Sequence, residues 1–481
     1  MNPKIVIRLL GILLLFPGIF IGFCLVMALY LGEFEAIKPL GFSMGIVALL
    51  ALSFYCLGNA SRGSIYRREA LVVVGVGWIL SCLLGSLPYI FSGCISNFSG
   101  AFFESVSGFT TTGATVISDI DSLPRSILFW RMLTHWLGGM GIIVLFVAIL
   151  PQMTGGAKQM FRSEVPGPVS EGLRPKIKET AIALWKIYIF LTFVETLLLV
   201  LAGMSVFEAF CHSISTIATG GFSTRNGSIA EYDNALIEII IMVFMLISGV
   251  NFGLYYTILK GRISSLFCNA EFRVYVGIVV LVSAVIGLSI AQQYGDISTA
   301  LRYSVFQTIS VMTGTGLSTD DFGSYPAVGK VLLVCLMFVG GCAGSTSGGL
   351  KVSRVIVIFK IAYQEIIHVF RPQVRMSVRV GRSVVENEVV HSILVFVVSF
   401  VFIAGIGTVM MSSLGLDVVT AFSSVVACLA NVGPGLDAVG PQETYENIPE
   451  AGKLILSALM LLGRLELGAL LALFVPGFWR R

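Results

Sequence analysis

The chain has 481 residues, 56% of them hydrophobic and 12% charged, with a formal net charge of +4. Soluble domains carry about 25% charged residues, so the composition excludes a soluble globular protein and points to one embedded in a bilayer. Nine cysteines without a CxxC pair, and four histidines without ligand-like spacing, argue against a disulfide framework and a metal site of the zinc type.

A membrane-crossing helix needs roughly 20 apolar residues. Hydropathy predicts spans at 9–31, 40–60, 70–91, 126–150, 181–203, 235–259, 274–293, 328–360, 389–412 and 451–476. Lys4 and Arg8 precede the first. Its apolar run is too long for a secretory signal and lacks a small-x-small cleavage site, so it is expected to remain as a span. Between the spans lie shorter apolar stretches near 98–110, 205–218, 299–312 and 417–430. Each has about 14 residues, too few to cross and suitable for a re-entrant helix. Ser205 and Asp417 stand near the starts of two of them, where an N-cap is useful. Each stretch runs into a glycine motif: TTTGATV from Thr110, ATGGFST from Ala218, TGTGLST from Thr313 and NVGPGL from Asn431.

Most of the 31 Lys and Arg residues fall in segments that share one side if the N-terminus is cytoplasmic. They include Lys158, Arg162, Arg174 and Lys176 in one such segment, and Lys351, Arg354 and Lys360 in another. The positive-inside rule then places both termini in the cytoplasm and the loops after each glycine motif outside. Two of those loops carry acid pairs, Asp119/Asp121 and Asp320/Asp321, which attract cations.

The motifs align on Gly113, Gly221, Gly316 and Gly433, roughly one hundred residues apart, as expected of an internal repeat. Each unit reads span, short helix, glycine motif, span. The expected divisions are a two-helix extension at 1–69 and repeats at 70–160, 161–262, 263–382 and 383–481. All four repeats run in the same direction, so an axis along the membrane normal relates them. The expected fold is therefore all-α: two N-terminal helices plus four parallel helix–pore-helix–loop–helix repeats around a pseudo-fourfold pore. Irregular backbone at membrane depth is tolerated only where it lines a cavity or is buried in protein. Glycine lets the chain take positive φ and turn carbonyls to the axis, and four such loops form an oxygen ring that replaces a cation's water shell. Hydroxyls of Thr110, Thr111, Thr112, Thr219, Ser223, Thr313, Thr315 and Ser318 support or extend that ring.

This four-unit pattern resembles the Trk/Ktr/HKT superfamily of potassium transporters, and most closely its bacterial TrkH/TrkG branch, over the whole chain. The resemblance implies a potassium filter at Thr111, Thr112, Gly113, Gly220, Gly221, Thr315, Gly316, Asn431, Val432 and Gly433. It implies potassium as the transported ion, no organic cofactor, a bacterial inner-membrane location and a homodimer with one pore per subunit. It also implies a TrkA-like cytosolic nucleotide-binding ring as partner, and no nucleic acid. The stretch GGCAGSTSGGLK would unwind the span 328–360. By resemblance it is a mobile gate below the filter: Gly340, Gly341, Cys342, Ala343, Gly344, Ser345, Thr346, Ser347, Gly348 and Gly349. Arg464 lies within the last span, where a guanidinium is costly and usually functional. The resemblance turns it to the pore under the filter. Glu466, two residues on, faces another side of the helix and is not its expected partner.

The basic run Arg371, Arg375, Arg379 and Arg382 reads first as an anchor at anionic lipid, with docking of the cytosolic ring as the alternative. A carrier for an organic solute predicts inverted repeats and ionisable residues at mid-membrane, and an enzyme predicts clustered His, Asp or Cys; neither pattern is present. Whether flux is passive or coupled to protons or sodium stays open.

Overall fold

A computed structural model of the chain describes residues 2–58, 66–141, 177–373, 377–381 and 383–479. The basic segment from Lys158 to Lys176, the boundary at 160, the end of the expected span 126–150, and Arg375 and Arg382 lie outside these.

Among the described residues six helices are long and apolar enough to cross a membrane: Pro3–Leu31, Phe34–Gly58, Arg68–Phe91, Glu179–Leu201, Ala270–Tyr294 and Asn387–Ser413. Large apolar side chains such as Phe193, Leu288 and Val398 stay exposed along them. A continuous apolar exterior of this kind is the surface a bilayer covers. The chain is a multi-pass membrane protein. A two-residue ribbon pairing Arg379–Val380 with Ser383–Val384 is the β-structure among the described residues.

The first two helices form a hairpin that packs on the helix Arg67–Gly85. The repeats follow. Their short helices are Phe98–Phe109, Val206–Ile217, Ile297–Thr313 and Val418–Leu429. All four are capped by side chains. Asn97 accepts from the Gly100 N–H (3.0 Å), Ser205 from Glu208 (3.3 Å), Asp296 from Ser298 and Thr299 (3.2 and 3.1 Å) and Asp417 from Val419 (3.0 Å). The caps satisfy amide donors that a short helix otherwise leaves open. The opposite ends are fully buried. The negative end of each helix dipole therefore points into the protein.

The closing helix of each repeat packs on the short helix of the next. Arg125–Gly139 lies on Val206–Ile217, Ala235–Ser248 on Ile297–Thr313, and Ala327–Val339 on Val418–Leu429. The cycle is completed by Glu450–Arg464, which packs on Phe98–Phe109. This cyclic packing is the pseudo-fourfold ring.

The closing helices differ from the spans expected of them. The segment 235–259 is two helices, Ala235–Ser248 and Phe252–Leu259, bent by 92°. The segment 327–370 is interrupted at 340–351, and Glu450–Arg464 is separated from Gly468–Phe474. At the first of these breaks Asn251 caps the following helix by accepting from the Gly253 N–H at 2.7 Å. At the last, Glu466 and Leu467 take φ of 52° and 56°. A left-handed conformation stops an α-helix, and two in succession at non-glycine residues are unusual.

Asn97→Ala is expected to lower stability by about 1 kcal/mol, whereas Asn97→Ser keeps the cap and most of the stability. Thermal unfolding of the detergent-solubilised protein measures both. Equal midpoints for the two variants would show that the cap is dispensable.

Candidate functional site

Each short helix ends in the same way. The N–H of Thr112 donates to Ser107 O (2.9 Å), Gly220 to Ser215 (2.8 Å), Thr315 to Ser310 (2.8 Å) and Val432 to Ala427 (2.9 Å). One residue earlier, Thr111 donates to Gly108, Thr219 to Thr216, Gly314 to Val311 and Asn431 to Cys428. This pair of bonds is the Schellman closure, which requires a left-handed residue after the helix. Thr111, Thr219, Gly314 and Asn431 supply it with φ of 53°, 54°, 71° and 54°. Two residues on, Gly113, Gly221, Gly316 and Gly433 have φ of 84°, 88°, 81° and 97°. A left-handed threonine costs about 1–3 kcal/mol and persists only where its surroundings impose it.

The glycines meet neighbouring loops in cyclic order. A Cβ on Gly113 would collide with the carbonyl oxygen of Gly220, on Gly221 with that of Thr315, on Gly316 with that of Val432, and on Gly433 with that of Thr112. The carbonyls of Thr112, Gly220, Thr315 and Val432 thus close a ring of loops, each against the glycine of the preceding loop. The threonine hydroxyls are engaged in the wall. Thr110 and Thr112 Oγ1 are 2.8 Å apart, Thr313 and Thr315 Oγ1 2.7 Å, and Asn431 Nδ2 donates to Thr112 Oγ1 at 2.9 Å. These four hydroxyls bond within and between the loops.

Behind the first two loops lies a fully buried ion pair, Arg131 Nε to Glu104 Oε1 at 2.9 Å. Glu104 accepts from Thr115 Oγ1 and the Val116 N–H, and Arg131 donates to Ser223 O at 3.3 Å. The fourth loop is tied to the first by Tyr445, whose N–H donates to Thr115 O (2.8 Å) and whose hydroxyl donates to Gly433 O (2.7 Å). A cavity on the loops is lined by the four aligned glycines and also by Arg131 and Arg225. Residues of the two acid pairs have local partners. Asp121 accepts from Asn226 Nδ2 at 3.0 Å, Asp320 from the Tyr294 hydroxyl, and Asp321 from the Gly323 N–H.

The segment 340–351 is anchored to several repeats. The Cys342 N–H donates to Gly249 O (2.8 Å), and the Phe252 N–H donates to Gly344 O (3.0 Å). Thr346 Oγ1 donates to Ile217 O and Ser248 O (3.2 and 3.3 Å). Glu271 Oε1 accepts the N–H of Ala343 and of Ser353 (2.7 and 3.1 Å). Ser347 Oγ accepts the Gly341 N–H at 2.9 Å. Gly340, Gly344 and Gly349 have positive φ, and a Cβ on Gly348 would collide with Ala430 O. Ser345 folds back on Cys342 O. The segment thus lies directly beneath the second and fourth loops. Arg464 joins it to the first repeat: Nη1 donates to Thr346 O (2.9 Å), and Nη2 to Gly139 O (3.0 Å) and Gly138 O. Glu466 turns away and pairs with Arg354 at 2.7 Å.

The filter candidates lie in the four mutually packed loops, and the gate candidates in the segment against them with Arg464. Glu271, Arg131 and Tyr445 were missed. An acid in a first turn and single polar residues in apolar helices carry no sequence signal of a distant partner.

A family model described as TrkH, cation transport protein, matches residues 42–480. The Trk system potassium uptake protein TrkH of Salmonella typhimurium is 41% identical over 424 residues, 87% of each chain. That of Halomonas elongata is 38% identical over the full length of both. The crystal structure of the potassium transporter TrkH from Vibrio parahaemolyticus superposes with a TM-score of 0.89 at 34% identity, covering 100% of both chains. Matches of this extent identify transport proteins, not enzymes, and the chain belongs to the TrkH family of cation transport proteins.

Proposed function

We propose that this protein takes up potassium across the bacterial inner membrane through a gated pore, with both termini in the cytoplasm. The observation that carries the reading is the closed ring in which each aligned glycine abuts the next loop's carbonyl. In this reading Thr111, Thr112, Gly113, Gly220, Gly221, Thr315, Gly316, Asn431, Val432 and Gly433 form the filter. Their carbonyls replace the water around potassium, and the four helix ends below add negative potential. The chain divides functionally into the extension 1–69 and repeats at 70–160, 161–262, 263–382 and 383–481.

The segment Gly340–Gly349 closes the passage below and moves to open it. Arg464 pins it through Thr346 and adds a repulsive charge. At about 6 Å and an effective dielectric near 20, its repulsion of a potassium ion is on the order of 3 kcal/mol. Two copies associate as a homodimer. A TrkA-like nucleotide-binding ring docks on the cytoplasmic face, where Arg371 and Arg379 are exposed, and it drives the segment between positions.

Two variants test this reading in proteoliposomes. Gly221→Ser puts a Cβ against Thr315 O and is expected to lower the preference for potassium over sodium. An unchanged preference in a folded Gly221→Ser protein removes this loop from the filter. Arg464→Ala is expected to raise potassium flux, by up to roughly a hundredfold if the full barrier of about 3 kcal/mol is lost, with selectivity nearly intact. Equal or lower flux would make the arginine a structural tie.

A further inference from the structure

The helix Arg125–Gly139 places Arg131 and His135 four residues apart, on one face. Both are completely buried. Between them lies the ring of Phe222, the residue that follows Gly221. The Arg131 guanidinium carbon is 4.0 Å from the ring centroid, and the imidazole centroid is 4.1 Å from it. His135 also holds backbone on both its sides. The Phe222 N–H donates to Nε2 at 3.2 Å, and Nδ1 lies 2.8 Å from Gly108 O. A nitrogen that accepts carries no proton, so the proton is on Nδ1 and is donated to Gly108. One imidazole thus fixes the end of the first short helix to the loop of the second.

The Phe222 N–H and the Gly221 carbonyl belong to one peptide group. In a planar trans peptide they point in opposite directions. Drawing the N–H outward to His135 therefore turns the Gly221 carbonyl towards the axis. The same imidazole faces Gly220, where a Cβ would collide with it. The fourth loop has no such device, because Pro434 follows its glycine and has no N–H to hold.

We infer that His135 is a specificity-determining positioning residue: by accepting the Phe222 N–H it aims the Gly221 carbonyl and so sets the discrimination between potassium and sodium. The inference rests on the filter reading above.

Two substitutions separate the two bonds of the imidazole. His135→Asn keeps a donor near the Nδ1 position, for Gly108, and loses the acceptor. His135→Gln keeps an acceptor near the Nε2 position, for Phe222. Sodium competition against potassium uptake in proteoliposomes reads the selectivity of each, with Gly221→Ser measured alongside. His135→Asn is expected to lower the potassium-to-sodium preference roughly tenfold, the equivalent of about 1.4 kcal/mol for one hydrogen bond. His135→Gln is expected to retain the preference. Equal preferences in the two variants, whether both kept or both lost, overturn the inference. If Gly221→Ser relaxes selectivity while His135→Asn does not, the filter stands and the role of His135 falls. If neither changes it, both readings fall. Should His135→Asn not fold, His135→Ala replaces it, since it also removes the acceptor; a preference lowered relative to His135→Gln supports the inference and an equal one overturns it.

Discussion

Four carbonyl oxygens gathered on one axis repel one another. The glycines at 113, 221, 316 and 433 allow that gathering, because only a residue without a Cβ lets the next loop's oxygen come so close. Much of the surrounding structure can be understood as what holds those oxygens in place. The Schellman closures fix where each loop leaves its helix. The buried Glu104–Arg131 pair and Tyr445 then fix the loops to one another. A buried charge pair is costly to desolvate, and it is tolerated here because Thr115, Val116 and Ser223 satisfy its remaining donors and acceptors.

The broken closing helices follow from the same geometry. An unbroken helix hides its carbonyls within its own hydrogen bonds, whereas a broken one frees them. The carbonyls of Gly138, Gly139, Ser248 and Gly249, at the ends of two helices, receive Arg464, Thr346 and Cys342. The segment 340–351 is therefore held by many modest hydrogen bonds to several repeats. Glu466–Arg354 links the last break to the start of the helix after the segment, so the two breaks are mechanically joined.

The ring was legible in the sequence because its signals are local. A stretch too short to cross, a cap before it and a glycine motif after it can each be read within twenty residues, and fourfold repetition separates them from chance. Asn97 and Asp296 carry the same cap signal as Ser205 and Asp417. Arg464 was legible as a charge in an apolar helix. What pairs with a residue was not legible. Glu104 and Arg131 are 27 positions apart, and Arg354 and Glu466 are 112 apart. The last helix break was also hidden, since GRLELG has helix-forming residues throughout its centre and is broken by tertiary contacts. His135 looked like a polar residue in an apolar helix until Phe222 was placed against it.

The central claim is that a dehydrated potassium-sized ion rests among the carbonyls of Thr112, Gly220, Thr315 and Val432. Anomalous diffraction from crystals grown in rubidium, a cation of similar size and charge, tests it most directly. A peak on the axis at the level of Gly113, Gly221, Gly316 and Gly433 is the expected result. Peaks confined to the outer cavity, with none between the loops, would contradict it.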